Sequence, residues 1–229
     1  VRLVLIEGLP GTGKTTLAER LCTLALHEGC ASRWYLEEAA DHPVHPRSPG
    51  AITLEDYPLR CLQGWERFAN EVRSDDTLHI LEGSAFQSTV RFMMEQNRAD
   101  IDDYFRRFEE ILAPLRPALI YLRPEDAASH SRAAAAHRGS DWTRKVAAYL
   151  EQTPYARRHG LRGEIGMHRF WADYAHLCDA LVHVLAMPVV KITAEPGHEN
   201  RVLTEAVSAI SPTSWAARER VARQLKALE

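Results

Sequence analysis

The chain has 229 residues, 45% of them hydrophobic and 26% charged, with a net charge of −3. That is enough chain and apolar content for a full core, which excludes a disordered or fibrous protein, and the balance supplies no basic field to attract nucleic acid. Four scattered cysteines, Cys22, Cys30, Cys61 and Cys178, form no C-x-x-C pair and read as reduced thiols, not as a disulfide frame or zinc site.

Leu3-Val4-Leu5-Ile6 is a continuous apolar run, the pattern of a strand buried on both faces. No apolar run reaches membrane-spanning length, and the strand starts too early to leave room for a signal peptide, so the expected location is cytoplasmic. Gly8-Leu9-Pro10-Gly11-Thr12-Gly13-Lys14-Thr15 follows and matches G-x-x-x-x-G-K-[ST] at every fixed position. Leu17, Leu21, Leu24 and Ala25 then recur at helical spacing until Gly29 offers a stop. Strand, glycine loop and helix together make the motif a phosphate cradle. Glycine lets the backbone approach a phosphate, and the freed N–H groups and helix N-terminus favour an anion. Gly8, Pro10, Gly11, Thr12, Gly13, Lys14, Thr15 and Thr16 are therefore the candidate nucleotide-binding residues. Lys14 is expected on the β- and γ-phosphates, Thr15 on Mg²⁺ and Thr16 near the α-phosphate of ATP.

Ser32 to Leu36 reads as a second strand ending in Glu37-Glu38. Ala39 to Gly50 carries Pro43, Pro46 and Pro49 with Asp41, His42 and His45, and prolines at that density predict a loop. Leu59, Leu62, Trp65, Ala69 and Val72 mark an amphipathic helix that Ser74-Asp75-Asp76 closes. Leu78 to Leu81 is a third buried strand, closing on Glu82-Gly83-Ser84. A long helical region is expected next, with Ile101, Phe105, Phe108, Leu112 and Leu115 in period and an end at Pro114 and Pro117.

Ala118 to Leu122 is the fourth strand. Pro124-Glu125-Asp126 is read as opening a helix with proline in its first turn, running to His137 and stopping at Gly139. Between Arg123 and Arg169 the chain holds nine cationic residues against five acidic ones. Trp142–Leu150 and Gly166–Leu185 read as helices, and Arg157, Arg158 and Arg162 as a loop. Val189 to Ile192 is a fifth strand, Glu195-Pro196-Gly197 a turn, and Asn200–Ile210 and Ser214–Leu228 two final helices. Five short apolar strands separated by helices predict a parallel sheet with helices on both faces, and ligands then bind at the strands' carboxyl ends. The strands end in Gly8, Glu37, Glu82, Arg123 and Thr193.

Three features resemble thymidylate kinases and deoxynucleoside kinases of the P-loop group, beyond the glycine loop itself. They are Tyr35-Leu36-Glu37-Glu38, the Leu119-Ile120-Tyr121-Leu122-Arg123-Pro124-Glu125 passage, and Arg132 with Arg138 where lid arginines stand. Asp41-His42-Pro43, Arg138-Gly139-Ser140-Asp141-Trp142 and Thr153-Pro154-Tyr155 are similar to segments of bacterial P-loop kinases. The chain departs from thymidylate kinases after the third strand, where Glu82-Gly83-Ser84 stands in place of Asp-Arg. The resemblance implies a three-layer α/β P-loop fold over residues 1–229, with a nucleotide unit at 1–30, an acceptor loop and helix at 37–75 and a helical lid at 123–169.

The candidate catalytic residues are Lys14, Glu37, Arg132 and Arg138. Thr15 and Glu82 are the candidate metal ligands, and Asp41 and His42 the candidate substrate contacts. Glu37 is equally readable as a polar strand terminus, and the arginines as a solvated helix face. Trp65, Phe68 and Phe92 have the spacing of core residues, with stacking on an aromatic acceptor as the other reading. The expected activity is ATP- and Mg²⁺-dependent transfer of the γ-phosphoryl group to a small acceptor: a nucleoside, a nucleotide, or another hydroxyl-bearing metabolite or antibiotic. The alternative is a P-loop ATPase or GTPase switch without an acceptor, although no Asn-Lys-x-Asp guanine-reading segment occurs. The expected partner is the small-molecule acceptor, not nucleic acid or membrane, and a homodimer is left open.

Overall fold

Alternate residues of the first strand face different cores. Leu3 and Leu5 belong to one buried cluster and Val4 and Ile6 to the other, which is what a continuous apolar strand requires when both faces are covered. The computed structural model describes residues 1–45 and 56–210. Its strands are β1 (Leu3–Gly8), β2 (Ser32–Tyr35), β3 (Leu78–Glu82), β4 (Pro117–Arg123) and β5 (Val189–Thr193). They form one parallel sheet in the order β2-β3-β1-β4-β5. The glycine loop thus leaves the central strand, and the order reverses there, where doubly wound sheets bind ligands.

The helices are α1 (Lys14–His27), α2 (Tyr57–Val72), α3 (Arg91–Glu95), α4 (Ile101–Leu112), α5 (Ala127–Arg138), α6 (Ser140–Glu151), α7 (Pro154–His159), α8 (Gly163–Val184) and α9 (Glu199–Ile210). On one face Leu17 and Leu21 of α1 and Val202, Leu203 and Ala206 of α9 pack on Val4, Ile6, Ile80 and Ile120. On the other, Trp65 and Phe68 of α2, Phe105 and Phe108 of α4, and Phe170 and Tyr174 of α8 pack on Leu3, Leu5 and Leu119. The result is the expected three-layer α/β arrangement.

Local departures have local causes. The long helical region after β3 divides into a π-helical turn (Phe86–Val90), α3, a break, α4 and a 3₁₀ turn (Ala113–Leu115) that contains Pro114. Pro124 lies outside the next helix: the Asp126 carboxylate accepts from the N–H groups of Ala128 and Ser129, so α5 starts at Ala127 with Asp126 as its cap. Arg157 and Arg158 lie on α7, not in a loop, because Thr153 caps that turn and Pro154 occupies its first position. The predicted helix at Ser214–Leu228 and the stretch Pro46–Gly50 lie outside the described residues. No helix among the described residues is long and apolar enough to cross a membrane.

Candidate active site

The glycine loop turns through Gly13, which has φ 84° at the N-cap of α1, a left-handed conformation that a β-carbon strains. That turn puts Lys14 at the first position of α1, buried to 6% exposure. Its ammonium folds back over the loop and donates to Gly8 O at 3.3 Å, Leu9 O at 3.1 Å and Gln87 Oε1 at 2.7 Å. Burial lowers its proton affinity, while the carboxylates of Glu37, Glu82 and Glu7 act in the opposite direction.

Those three carboxylates converge from three strand ends. Glu7, the last side chain of β1 before Gly8, is fully buried. It accepts from the N–H of Ala85 at 2.7 Å and of Gln87 at 3.3 Å, anchoring the π-helical turn. Burial lifts its pKa to about 7 against those N–H groups and Lys14. Glu82, at the end of β3, takes the Thr15 hydroxyl at 3.3 Å and the Glu37 N–H at 3.2 Å on the same oxygen. Thr15 and Glu82 are therefore brought together.

Glu37, two residues beyond β2, is pushed up to about 8 by burial, with Lys14 opposing. Gln87 Nε2 donates to its Oε2 at 2.6 Å. Gly83 has φ 65°, and a β-carbon there would run into the Glu37 carboxylate. A side chain at position 83 is thus incompatible with Glu37 where it stands.

His42 is buried, and its Nδ1 accepts from the N–H groups of both Val44 and His45 at 3.2 Å. The ring is accordingly neutral with its proton on Nε2, which donates to Ser84 Oγ at 3.0 Å. Burial and the neighbouring His45 ring hold its pKa down to about 3. These bonds make His42 the pin of its loop, and among the described residues no cluster of three or more His, Cys, Asp or Glu is placed to hold a metal. Asp41 is exposed. Trp65 and Phe68 are core residues, and Phe92 packs on Tyr57 with ring centroids 4.5 Å apart.

Of the two arginines expected in a lid, Arg138 is near enough to Lys14 to lower its proton affinity and lies over the Trp142 ring at 4.9 Å. Arg132 bonds Ser129 Oγ and lines a groove between α5 and α6 with Thr143 and Glu164. The α5 residue on the glycine loop is His130, whose Nε2 donates to Pro10 O at 2.9 Å. His130 also lines a cavity with Gly13, Thr16, Arg20, Pro196 and Glu199, between α1 and the start of α9. Arg123 is tied to Asp179 of α8 at 2.9 Å.

Sequence reasoning missed Glu7, Gln87 and His130. Glu7 had a readable signal, a carboxylate in an otherwise apolar strand directly before the glycine loop. Gln87 and His130 had none, because their positions depend on how a turn and a distant helix pack.

No protein-family model and no curated protein matches the sequence. Among solved structures, thymidylate kinase from Candida albicans aligns over 93% of this chain and 92% of its own, with TM-score 0.50 and 12% identity. The chain has a P-loop kinase fold. Deoxyadenosine kinase from M. mycoides with bound dATP aligns at 13% identity, 92% and 100% coverage and TM-score 0.46. The YorR protein from Bacillus subtilis in complex with phosphorylated GDP aligns at 11% identity, 90% and 94% coverage and TM-score 0.45.

Proposed function

We propose that the protein is a small-molecule kinase that moves the γ-phosphoryl group of ATP to a hydroxyl of a nucleoside, nucleotide or similarly compact metabolite or antibiotic. The observation that carries this reading is the meeting of Lys14 with Glu37 through one side chain, Gln87, at the carboxyl edge of the sheet. A cation for the phosphates and a carboxylate of raised proton affinity for the acceptor are then within one site.

In this reading the N-terminus of α1 and Lys14 bind the triphosphate, and the cavity beside Thr16 and His130 takes the base. Thr15 and Glu82 offer a hydroxyl and a carboxylate oxygen on adjacent elements, a hard-oxygen donor set that suits Mg²⁺. When bound there, that ion would supply charge neutralisation at the phosphates. Glu37 accepts the acceptor's hydroxyl proton as its oxygen bonds to the γ-phosphorus. The bond from that phosphorus to the bridging oxygen breaks, and ADP leaves. Burial that raises the proton affinity of Glu37 suits it to this role. Arg138 offsets charge on the transferred group.

The test is ATP consumption by the pure protein, alone and with nucleosides, nucleotides, sugars and antibiotics, with products identified by mass spectrometry. One acceptor stimulates turnover and gains a phosphate, and Lys14→Ala abolishes that turnover while leaving the circular dichroism spectrum unchanged. Steady hydrolysis that no acceptor alters would favour a P-loop ATPase instead.

A further inference from the structure

Both ends of the Gln87 carboxamide are engaged. Oε1 accepts from Lys14 Nζ at 2.7 Å and Nε2 donates to Glu37 Oε2 at 2.6 Å. An ammonium only donates, so the amide oxygen must face Lys14, and the NH₂ group is left for the carboxylate. A flipped amide would set donor against donor. The main chain of Gln87 is held as well, its N–H by Glu7 Oε2 at 3.3 Å and its carbonyl by Arg91 Nε at 3.0 Å. Arg91 is in turn paired with the buried Glu95, which also takes the Tyr149 hydroxyl at 2.6 Å. The residue sits in the π-helical turn Phe86–Val90, and such turns concentrate at functional sites.

Lys14 has three N–H groups, and Gly8 O, Leu9 O and Gln87 Oε1 take all three. A phosphate that binds this ammonium must displace at least one of them. We propose that Gln87 is a positioning residue that links nucleotide occupancy at Lys14 to Glu37. In the empty site its carboxamide joins the two side chains. When phosphates draw Lys14 away, the carboxamide stays on Glu37 alone and holds that carboxylate for the acceptor. The role of Glu37 toward an acceptor rests on the kinase reading; the competition for Lys14 does not.

The test measures Mg-ATP affinity by calorimetry for the wild type, Gln87→Met and Gln87→Glu. Methionine has similar length and no polar end, so Lys14 loses one acceptor in the empty site and nucleotide binds about 2- to 10-fold tighter. Glutamate grips Lys14 as a charged partner and weakens binding by a similar factor. A packing defect would weaken both variants, and equal affinities in all three proteins would overturn the proposal. Coupling to Glu37 is read by adding Glu37→Ala to the wild-type and Gln87→Met backgrounds. Its effect on nucleotide affinity differs between them by at least about 3-fold, whereas additive effects overturn the link. With an acceptor in hand, both Gln87 variants lose at least about 10-fold in kcat, since the carboxylate is no longer oriented. Nucleotide binding without transfer to any acceptor would sink the kinase reading while leaving the affinity arms decisive for Gln87.

Discussion

Glu7 holds its proton up to about pH 7 in the folded protein, against an ordinary value of 4.5. Between those two values the native state binds a proton that the unfolded chain releases, so this contribution to stability falls as pH rises through that window. Urea unfolding at a series of pH values checks it: Glu7→Gln flattens the decline below pH 7. The same substitution costs about 1–3 kcal/mol, because an amide N–H then faces the backbone donors of Ala85 or Gln87. An unchanged pH profile would show that Glu7 stays ionised. On the kinase reading, Arg138, stacked on Trp142 and felt electrostatically at Lys14, contributes to transfer, and Arg138→Ala lowers turnover by about 10²-fold. ATP affinity changes less, and an unaltered rate would return Arg138 to the solvated surface. At this scale the glycine loop, Glu37 and Glu82 were legible because they follow apolar strands at fixed offsets. The side chains that connect them were not, since no periodicity in the sequence says that Gln87 reaches both Lys14 and Glu37.

Elements were legible wherever one face of a helix or both faces of a strand are apolar. Leu59, Leu62, Trp65, Ala69 and Val72 located α2, and its start at Tyr57 extends that pattern by two residues. The segment after β3 was harder, because the Glu7 carboxylate organises its first turn from another strand and the local pattern does not record that contact. Gly64 was also silent. It lies inside α2, where glycine is intrinsically unfavourable, yet a β-carbon there would run into the carbonyl of Val44. The glycine lets the His42–His45 loop rest directly on the helix. Gly64→Ala therefore destabilises the protein by about 1–3 kcal/mol through overpacking, despite alanine's better helix propensity. Chemical denaturation measures this, and a stabilised variant would mean that the loop moves aside at no cost.

At the scale of the molecule, the described residues form a five-stranded parallel sheet in the order β2-β3-β1-β4-β5, with core clusters on both sides of β1. We expect thermal unfolding as one transition, since alternate apolar residues of β1 and β4 feed both cores. On the proposed reading, Mg-ATP at 100 times its Kd adds about 2.7 kcal/mol to that stability, and separate transitions by fluorescence and circular dichroism would instead mark independent units. The parallel architecture was readable from five apolar runs alternating with helical periods. Strand order was not, because it depends on which crossovers pack over which face.

The two-faced burial of β1 also partitions the chemistry. α1 and α9, which flank the cavity beside Thr16 and Glu199, cover one face of the sheet. α2 and the turn carrying Gln87 and Phe86 belong to the other. The two sides meet above the end of the central strand, where Gly8 and Glu7 are neighbours. On the proposed reading, donor and acceptor arrive from opposite sides of a party wall. Acceptor choice can then drift through substitutions on one side while the machinery for the nucleotide base is inherited unchanged on the other.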